Sequence, residues 1–153
     1  SADKQTAFFF KVISRLGDGW FWYALIAALA FFGGQPAYIY LMETLLVSGL
    51  GVAIYKYLKQ HTLRPRPYQV HQAIVLGERP LDHFSFPSGH TLHAVLFTIM
   101  LGSQWPVLLT ILVPFMLLVA LSRMILGLHY PTDVLVGAVL GASLASSALI
   151  LLA

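Results

Sequence analysis

The chain has 153 residues and no cysteine; 58% of its residues are hydrophobic, 10% are charged, and its mean hydropathy is +0.78. Soluble domains carry about 25% charged residues, so this composition argues against a soluble domain and favours one membrane-embedded domain over residues 1–153. The net charge of +3 comes from nine Lys and Arg that are spread among apolar runs and form no basic stripe, which argues against nucleic acid as a partner.

The first predicted element is a short amphipathic helix at residues 7–16, which mixes phenylalanines with Lys11 and Arg15. This composition is typical of a helix that lies in the membrane interface, and the segment would make a sixth span only by entering the hydrocarbon region. Gly17 and Gly19 predict a break after it, with Asp18 as the N-cap of the next helix.

Five apolar segments follow, and crossing a bilayer core takes about 20 residues of helix. They are residues 19–32, 37–58, 88–102, 105–121 and 132–153. The predicted fold class is therefore all-α, an integral membrane helical bundle of about five to six transmembrane helices. Because the chain starts at Ser1 and stops inside an apolar run, we expect both ends to be trimmed.

Two crossings return a chain to its starting side, so the polar loop 61–87 and the turn 122–131 are expected on one face with the N-terminus. All nine cations fall on that face: Lys4, Lys11, Arg15, Lys56, Lys59, Arg64, Arg66, Arg79 and Arg123. We therefore expect the chemistry of this protein at one membrane interface.

Three polar clusters meet on that face and together describe metal-free phosphoryl transfer. Lys59, Arg66 and Arg123 offer cations for a group that carries two negative charges. Ser88 and Gly89 open an apolar helix, whose free N–H groups form an anion site.

Histidines in two of these clusters provide a nucleophile and an acid. His129 lies just before the last helix and Asp133 lies in its first turn. We therefore expect Asp133 to accept the Nδ1 proton of His129, which leaves Nε2 as the nucleophile. His90 is the candidate donor of a proton to the leaving oxygen.

The motifs Lys-x6-Arg-Pro, Pro-Ser-Gly-His and Ser-Arg-x5-His-x3-Asp resemble the three-part signature of the type-2 phosphatidic acid phosphatase family. This family takes in lipid phosphate phosphatases, bacterial acid phosphatases, glucose-6-phosphatase and vanadium haloperoxidases. All eleven fixed residues are present in order between Lys59 and Asp133, about half of the chain. The resemblance implies a phosphohistidine on His129, protonation of the leaving group by His90 and independence of metals and other cofactors. It also implies that phosphate is held by Lys59, Arg66, Arg123, Ser88 and Gly89.

The expected function is hydrolysis of a lipid phosphate or lipid diphosphate by a membrane-bound bacterial-type member of this family. Candidate substrates are phosphatidic acid, phosphatidylglycerophosphate, an isoprenyl diphosphate and the phosphate of lipid A. A phosphotransferase that passes the phosphoryl group to an acceptor other than water shares the first half-reaction and is the alternative. A non-catalytic lipid-binding protein is disfavoured by the intact nucleophile and acid, and no obligatory protein partner is evident.

Several residues keep two interpretations at this stage. Arg64 either contacts a headgroup or anchors its loop, and the anchor is favoured. His93 is either a neighbour that supports His90 or half of a metal pair that lacks a third ligand. Glu43, inside an apolar segment, is expected to make a structural hydrogen bond.

The location of the active site relative to the membrane rests on two opposing arguments. The positive-inside rule would make the cation-bearing face cytoplasmic. The family resemblance implies the bacterial inner membrane, with the site on its extracytoplasmic face. We expect the extracytoplasmic side.

Overall fold

The structure, a computed structural model, describes residues 2–71 and 82–153. Within these ranges it contains seven α-helices and no strand beyond an isolated antiparallel bridge between Pro65 and Phe84. The helices are α1 (Ala2–Arg15), α2 (Phe21–Gly33), α3 (Gln35–Thr62), α4 (Pro67–Val70), α5 (Gly89–Gln104), α6 (Leu109–Ile125) and α7 (Pro131–Leu151). The predicted all-α fold class is confirmed. Part of the predicted loop 61–87, including Arg79, lies outside the described residues.

Four stretches of the described chain are long and apolar enough to cross a membrane: Ala2–Gly33, Gln35–Thr62, Pro106–Ile125 and Pro131–Leu151. α5 has 16 residues, about 24 Å of helix, which is shorter than a hydrocarbon core of about 30 Å. The sequence predicts five to six spans. Among the described residues, the structure has four stretches of spanning length and one shorter helix, α5.

The N-terminal region follows the sequence prediction in part. A π-helical turn, Leu16–Trp20, joins α1 to α2, and the predicted break lies within it as a kink at Gly19, whose backbone is not helical. The N–H of Phe21 bonds to the Leu16 carbonyl, so hydrogen bonding persists across the kink at Gly19, where φ is 140°. Asp18 does not cap α2, and that prediction is wrong, because the glycines beside it permit a widened turn instead of a new helix start.

α5 is the centre of the bundle, with ten buried residues, and packs against α3, α6 and α7. Its contact with α7 is backbone to backbone: a Cβ atom on Gly137 would lie 2.5 Å from the Ser88 oxygen, and one on Gly141 would lie 2.3 Å from the Leu92 oxygen. Only glycine allows this approach. The contact fixes α5 and α7 relative to each other at the level of Ser88.

Aromatic side chains fill the bundle beneath the site. The fully buried Trp22 of α2 stacks on Phe97 of α5, with ring centroids 5.2 Å apart, and meets Phe115 of α6 edge-on at 5.4 Å. Trp22 and Phe97 also line the cavity described below. α2, α5 and α6 are thus held together by aromatic contacts at its inner end.

Candidate active site

A cavity of about 200 Å³ opens between the end of α3, the start of α5 and the end of α6. Six of the predicted site residues line it: Lys59, Arg66, Gly89, His90, Arg123 and His129. Ser88 and Asp133 are fully buried and are not part of its wall. The structure therefore brings all three motifs together. Six of their residues line the cavity, and Ser88 and Asp133 are buried behind its wall.

The first motif supplies two buried cations. α3 continues past residue 58, where the sequence predicted its end, to Thr62, which places Lys59 in the last helical turn. Leu63, with φ 50°, is left-handed and turns the chain, and Arg66 follows with 1% of its surface exposed. Arg66 Nη1 donates to the Leu128 carbonyl at 2.8 Å, which fixes its guanidinium beside the third motif.

Asp82 contacts both of these cations. Its carboxylate accepts from Lys59 Nζ at 3.0 and 3.1 Å and from Arg66 Nη2 at 2.8 Å. Burial by itself would raise the pKa of Asp82, but Lys59 and Arg66 outweigh that effect and hold the pKa below its ordinary value. An anion therefore already occupies part of the predicted phosphate site.

In the second motif, Ser88 is the N-cap of α5, and its Oγ accepts from the Thr91 N–H at 3.3 Å. Its hydroxyl also lies 2.9 Å from Thr91 Oγ1, so the side chain serves the helix and is directed away from the cavity. The N–H groups of the first helical turn have no partner within the helix, and Gly89 brings them to the cavity wall. This turn, rather than the Ser88 hydroxyl, is the part of the motif that can meet a phosphate.

The third motif is folded back on the end of α6. The N–H groups of Leu128 and His129 both donate to the Arg123 carbonyl, at 3.1 and 3.0 Å. Gly127 takes the left-handed conformation that this turn requires, with φ 72°. Arg123 is 3% exposed and donates to the hydroxyl of Ser14 in α1.

The tautomer of His129 follows from its hydrogen bond. Nδ1 lies 2.6 Å from the Ser85 carbonyl, which can only accept, so Nδ1 carries the proton. Nε2 lies 3.4 Å from Arg66 Nη1 and keeps its lone pair when the ring is neutral. Burial first, and then Arg123, Arg66 and Lys59, lower the pKa of His129 well below its ordinary value. His129 is therefore a neutral imidazole at neutral pH, and its unprotonated Nε2 accepts a long hydrogen bond from Arg66.

Asp133 does not make the predicted hydrogen bond to His129. Its nearer oxygen lies 3.9 Å from Nδ1 and accepts from the Tyr130 N–H at 2.7 Å, while the other oxygen pairs with Arg64 Nη1 at 3.0 Å. The carboxylate points toward the backbone at the start of α7 because those N–H groups need an acceptor. The prediction that Asp133 binds Nδ1 is corrected: the Ser85 carbonyl holds the His129 ring.

His90 projects from the first turn of α5 into the cavity, and its Nε2 hydrogen bonds to Asp18 Oδ1. The pair is mostly shielded from solvent, with side-chain exposures of 10% for His90 and 28% for Asp18. His90 also lies on the same cavity wall as Gly17, so the π-helical turn covers one side of its ring.

The residues with two interpretations are also placed. Arg64 anchors the site: besides Asp133, it bonds to Thr132 Oγ1 at 2.9 Å and stacks over Tyr130 at 4.3 Å.

His93 contacts the carbonyls of Gly89 and Ser48, at 2.9 and 3.3 Å. Among the described residues no group of three His, Asp or Glu could hold a metal. Glu43 lines a second cavity with Tyr40 and Ser103, far along α3 from Lys59.

Four residues of the site are missed by the sequence interpretation: Ser14, Asp18, Asp82 and Ser85. Ser85 acts through its main chain and Ser14 through a contact across the bundle, and neither role leaves a sequence signal. Asp82 lies in a loop whose path the sequence does not determine. Asp18 has a signal, because glycines on both sides place a carboxylate in a flexible turn next to the membrane segments.

Residues 37–152 match the PAP2 superfamily. The decaprenylphosphoryl-5-phosphoribose phosphatase of Mycobacterium tuberculosis is 35% identical over 139 residues, which cover 86% of this chain and 72% of that protein. The protein of the same name from Mycolicibacterium smegmatis is 37% identical over 138 residues, which cover 83% of this chain and 68% of the relative.

Two solved structures share the fold. Aquifex aeolicus LpxE superposes with a TM-score of 0.83 at 27% identity, over 95% of this chain and 86% of that one. The transmembrane PAP2-type phosphatidylglycerolphosphate phosphatase of Bacillus subtilis superposes with a TM-score of 0.69 at 28% identity, over 96% of this chain and 76% of that one. With a three-motif site in an apolar helical bundle, and with these relatives, the chain belongs to the PAP2 superfamily and is an integral membrane lipid phosphate phosphatase.

Proposed function

We propose that the chain removes phosphate from a lipid phosphate or lipid diphosphate in two steps through a phosphohistidine on His129. The observation that carries this proposal is the hydrogen bond from His129 Nδ1 to the Ser85 carbonyl, which leaves Nε2 unprotonated inside a cavity lined by cations. Nucleophilic catalysis needs such an unprotonated nitrogen at neutral pH.

In the first step Nε2 attacks phosphorus and the bond from phosphorus to the lipid oxygen breaks. That oxygen takes the proton from His90, and the lipid alcohol (or the shortened lipid phosphate) leaves. The negative charge on the phosphoryl oxygens is stabilised by Lys59, Arg66 and Arg123 and by the N–H groups in the first turn of α5. In the second step water attacks phosphorus, its proton passes to His90, and the P–N bond breaks to release phosphate and neutral His129.

These cations and the α5 N-terminus supply the positive charge that a divalent metal provides in other phosphatases. We therefore propose a reaction independent of metals and other cofactors. The substrate is proposed to be a lipid because the relatives include an enzyme named for a decaprenyl-linked phosphoribose and one named for phosphatidylglycerolphosphate. We place the protein in a bacterial inner membrane, with the cavity open to the extracytoplasmic side.

The test is phosphate release by the purified protein in detergent, with EDTA present, from a panel of lipid phosphates. The panel contains phosphatidic acid, phosphatidylglycerophosphate, a polyprenyl diphosphate, a polyprenylphosphoryl-5-phosphoribose and lipid A phosphate. We expect release from at least one lipid without an added acceptor, inhibition by vanadate and complete loss in His129→Ala. Activity that requires magnesium or zinc, or release only when an alcohol acceptor is added, would contradict the proposal.

A further inference from the structure

The residues before the PAP2 match take part in the active site. The family match starts at residue 37, yet the cavity wall includes Gly17, Asp18 and Gly19. Two side chains of this N-terminal segment contact motif residues: Ser14, fully buried, accepts from Arg123, and Asp18 accepts from His90. These contacts join one cation and the proposed acid to a segment that the three-part signature does not contain.

Asp18 reaches His90 because of the backbone around it. The turn Leu16–Trp20 joins α1 and α2 across a kink at Gly19, and wide turns of this kind are rare and frequently lie at functional sites. Gly19 has φ 140°, and a Cβ atom there would lie 2.8 Å from the Tyr23 ring. A Cβ atom on Gly17 would lie 3.2 Å from Val119 and 3.6 Å from His90. Gly17 therefore lets the turn approach α5 and α6 closely, and Gly19 permits the kink with positive φ, so that the Asp18 carboxylate meets the His90 ring.

His90 needs a nearby anion if it is to carry a proton. The charged and titratable groups that share its cavity wall are Lys59, Arg66, Arg123, His129, His93, Tyr23, Tyr55, Asp82 and Asp18. Three of them are cations, and Asp82 is engaged by two of those. Among the described residues, Asp18 has a carboxylate in direct contact with the His90 ring. This contact opposes the burial and the repulsion by Arg123 and Lys59 that disfavour a protonated imidazole.

We propose that Asp18 is a positioning residue: its carboxylate holds the Nε2 proton of His90, favours the charged ring and leaves the Nδ1 proton as the one donated to the leaving-group oxygen. This inference rests on the proposed function, in which His90 is the acid. When the P–O bond breaks, the leaving oxygen takes the Nδ1 proton and His90 becomes neutral, while the Nε2 proton stays hydrogen bonded to the Asp18 carboxylate. When water attacks the phosphohistidine, its proton passes to Nδ1 and Asp18 again pairs with the charged ring.

The dependence of rate on the leaving group tests this role. Asp18→Asn keeps an oxygen that can accept from Nε2 but removes the charge. A lipid alkoxide needs a proton to leave, whereas nitrophenolate leaves readily as an anion, and phenol, with a pKa of about 10, lies between them. We expect Asp18→Asn to lower kcat about 10- to 100-fold on the lipid, within the range of general acid catalysis. The loss should be less than about threefold on nitrophenyl phosphate and intermediate on phenyl phosphate.

The ratio of lipid to aryl activity is measured on one sample, so it does not depend on the fraction of protein that is folded. Asp3→Asn, which removes an exposed carboxylate from α1, is the matched control and should leave the ratio unchanged. In a His90→Ala background Asp18→Asn should cost nothing further, because the two residues act as a unit. Equal losses on all three substrates, or additive losses in the double variant, would overturn the assignment of Asp18.

The two proposals fail separately. Full turnover by His129→Ala would contradict the phosphohistidine itself. An inactive His129→Ala together with an unchanged ratio in Asp18→Asn would overturn only the role of Asp18.

Discussion

Nδ1 of His129 lies 2.6 Å from the main-chain oxygen of Ser85, in the segment that leads to the Pro-Ser-Gly-His motif. The proposed nucleophile is therefore oriented by the backbone of another motif, and not by a carboxylate as in a serine-protease triad. Ser85 N–H in turn donates to the Arg64 carbonyl at 2.9 Å, so this strand-like contact links all three motifs. A main-chain acceptor cannot be removed by side-chain substitution, which makes the tautomer of His129 a property of the fold.

Asp133→Asn should therefore cost less than the loss of about 10⁴ that a triad carboxylate would predict. We expect kcat to fall about tenfold, because the Tyr130 N–H and Arg64 lose their anionic partner and the loop that carries His129 loosens. Arg64→Gln removes the other half of the pair and should produce a similar loss. A charge-assisted hydrogen bond contributes about 2 kcal/mol, so both variants should also melt a few degrees lower. A loss near 10⁴ without a change in melting temperature would mean that Asp133 acts on the imidazole directly.

The depressed pKa of His129 predicts a neutral ring over an unusual pH range. Burial and the neighbouring cations lower this pKa, so the ring should stay unprotonated well below pH 6.5, where a free histidine takes up its proton. In ¹⁵N-histidine NMR spectra, assigned with His129→Gln, Nδ1 should be of the protonated type and Nε2 of the unprotonated type at pH 7. Arg66→Gln removes a positive charge 3.4 Å from Nε2 and should raise this pKa. Two protonated ring nitrogens at pH 7 would contradict the assignment.

The same shift makes stability depend on pH. Below about pH 6.5 the unfolded chain binds a proton at this histidine and the folded chain does not, so the folded state loses stability as the pH falls. The loss should be smaller in His129→Gln.

Asp82 is expected to compete with phosphate for Lys59 and Arg66, since it contacts both. Asp82→Asn removes a negative charge within a few ångströms of the site and should tighten vanadate inhibition about tenfold at low ionic strength. This tightening of vanadate inhibition should be smaller at high salt, because Asp82 is partly exposed and its charge is screened. Glu43→Gln, which alters a carboxyl group at the other end of α3, is the control and should leave vanadate inhibition unchanged. Weaker inhibition in Asp82→Asn would show that the carboxylate instead holds the two cations in place for phosphate.

Sidedness can be measured with two positions on one helix, because the chain has no cysteine. Gln60 and Gln35 are exposed at opposite ends of α3, about 37 Å apart along the axis. If the cavity opens to the extracytoplasmic side, an impermeant thiol reagent should label Gln60→Cys in intact cells. Gln35→Cys should react only after the membrane is permeabilised. The reverse pattern would place the catalytic face in the cytoplasm, as the positive-inside rule suggests.

The fold class and most of the site follow from the sequence because they depend on local patterns. Apolar runs predict the helices, and the motif spacing places Lys59, Arg66, His90, Arg123 and His129 at helix ends, where the structure brings them together. Helix ends are predicted less well: α3 runs four residues beyond residue 58, because the polar side chains of its last turn find partners in the site.

The contacts that sequence does not reveal are those made across the bundle. Asp18 has the composition of an N-cap, and only the packing of the π-helical turn against α5 directs it to His90. Asp133 has the spacing of an orienting carboxylate, but the N–H groups at the start of α7 and Arg64 take its oxygens first. In both cases a local rule gives the position of the residue and tertiary contacts select its partner.

A covalent phosphohistidine on His129 can be trapped when its hydrolysis is slow. His90→Ala should slow the attack of water on the intermediate, so this variant is incubated with nitrophenyl [³²P]phosphate, denatured in alkali and digested. We expect label that is stable in alkali and labile in acid on the peptide that contains His129, and no label in a His90→Ala, His129→Ala double variant. Label on any other residue, or no label on the His129 peptide while nitrophenol is still released, would contradict a phosphohistidine on His129.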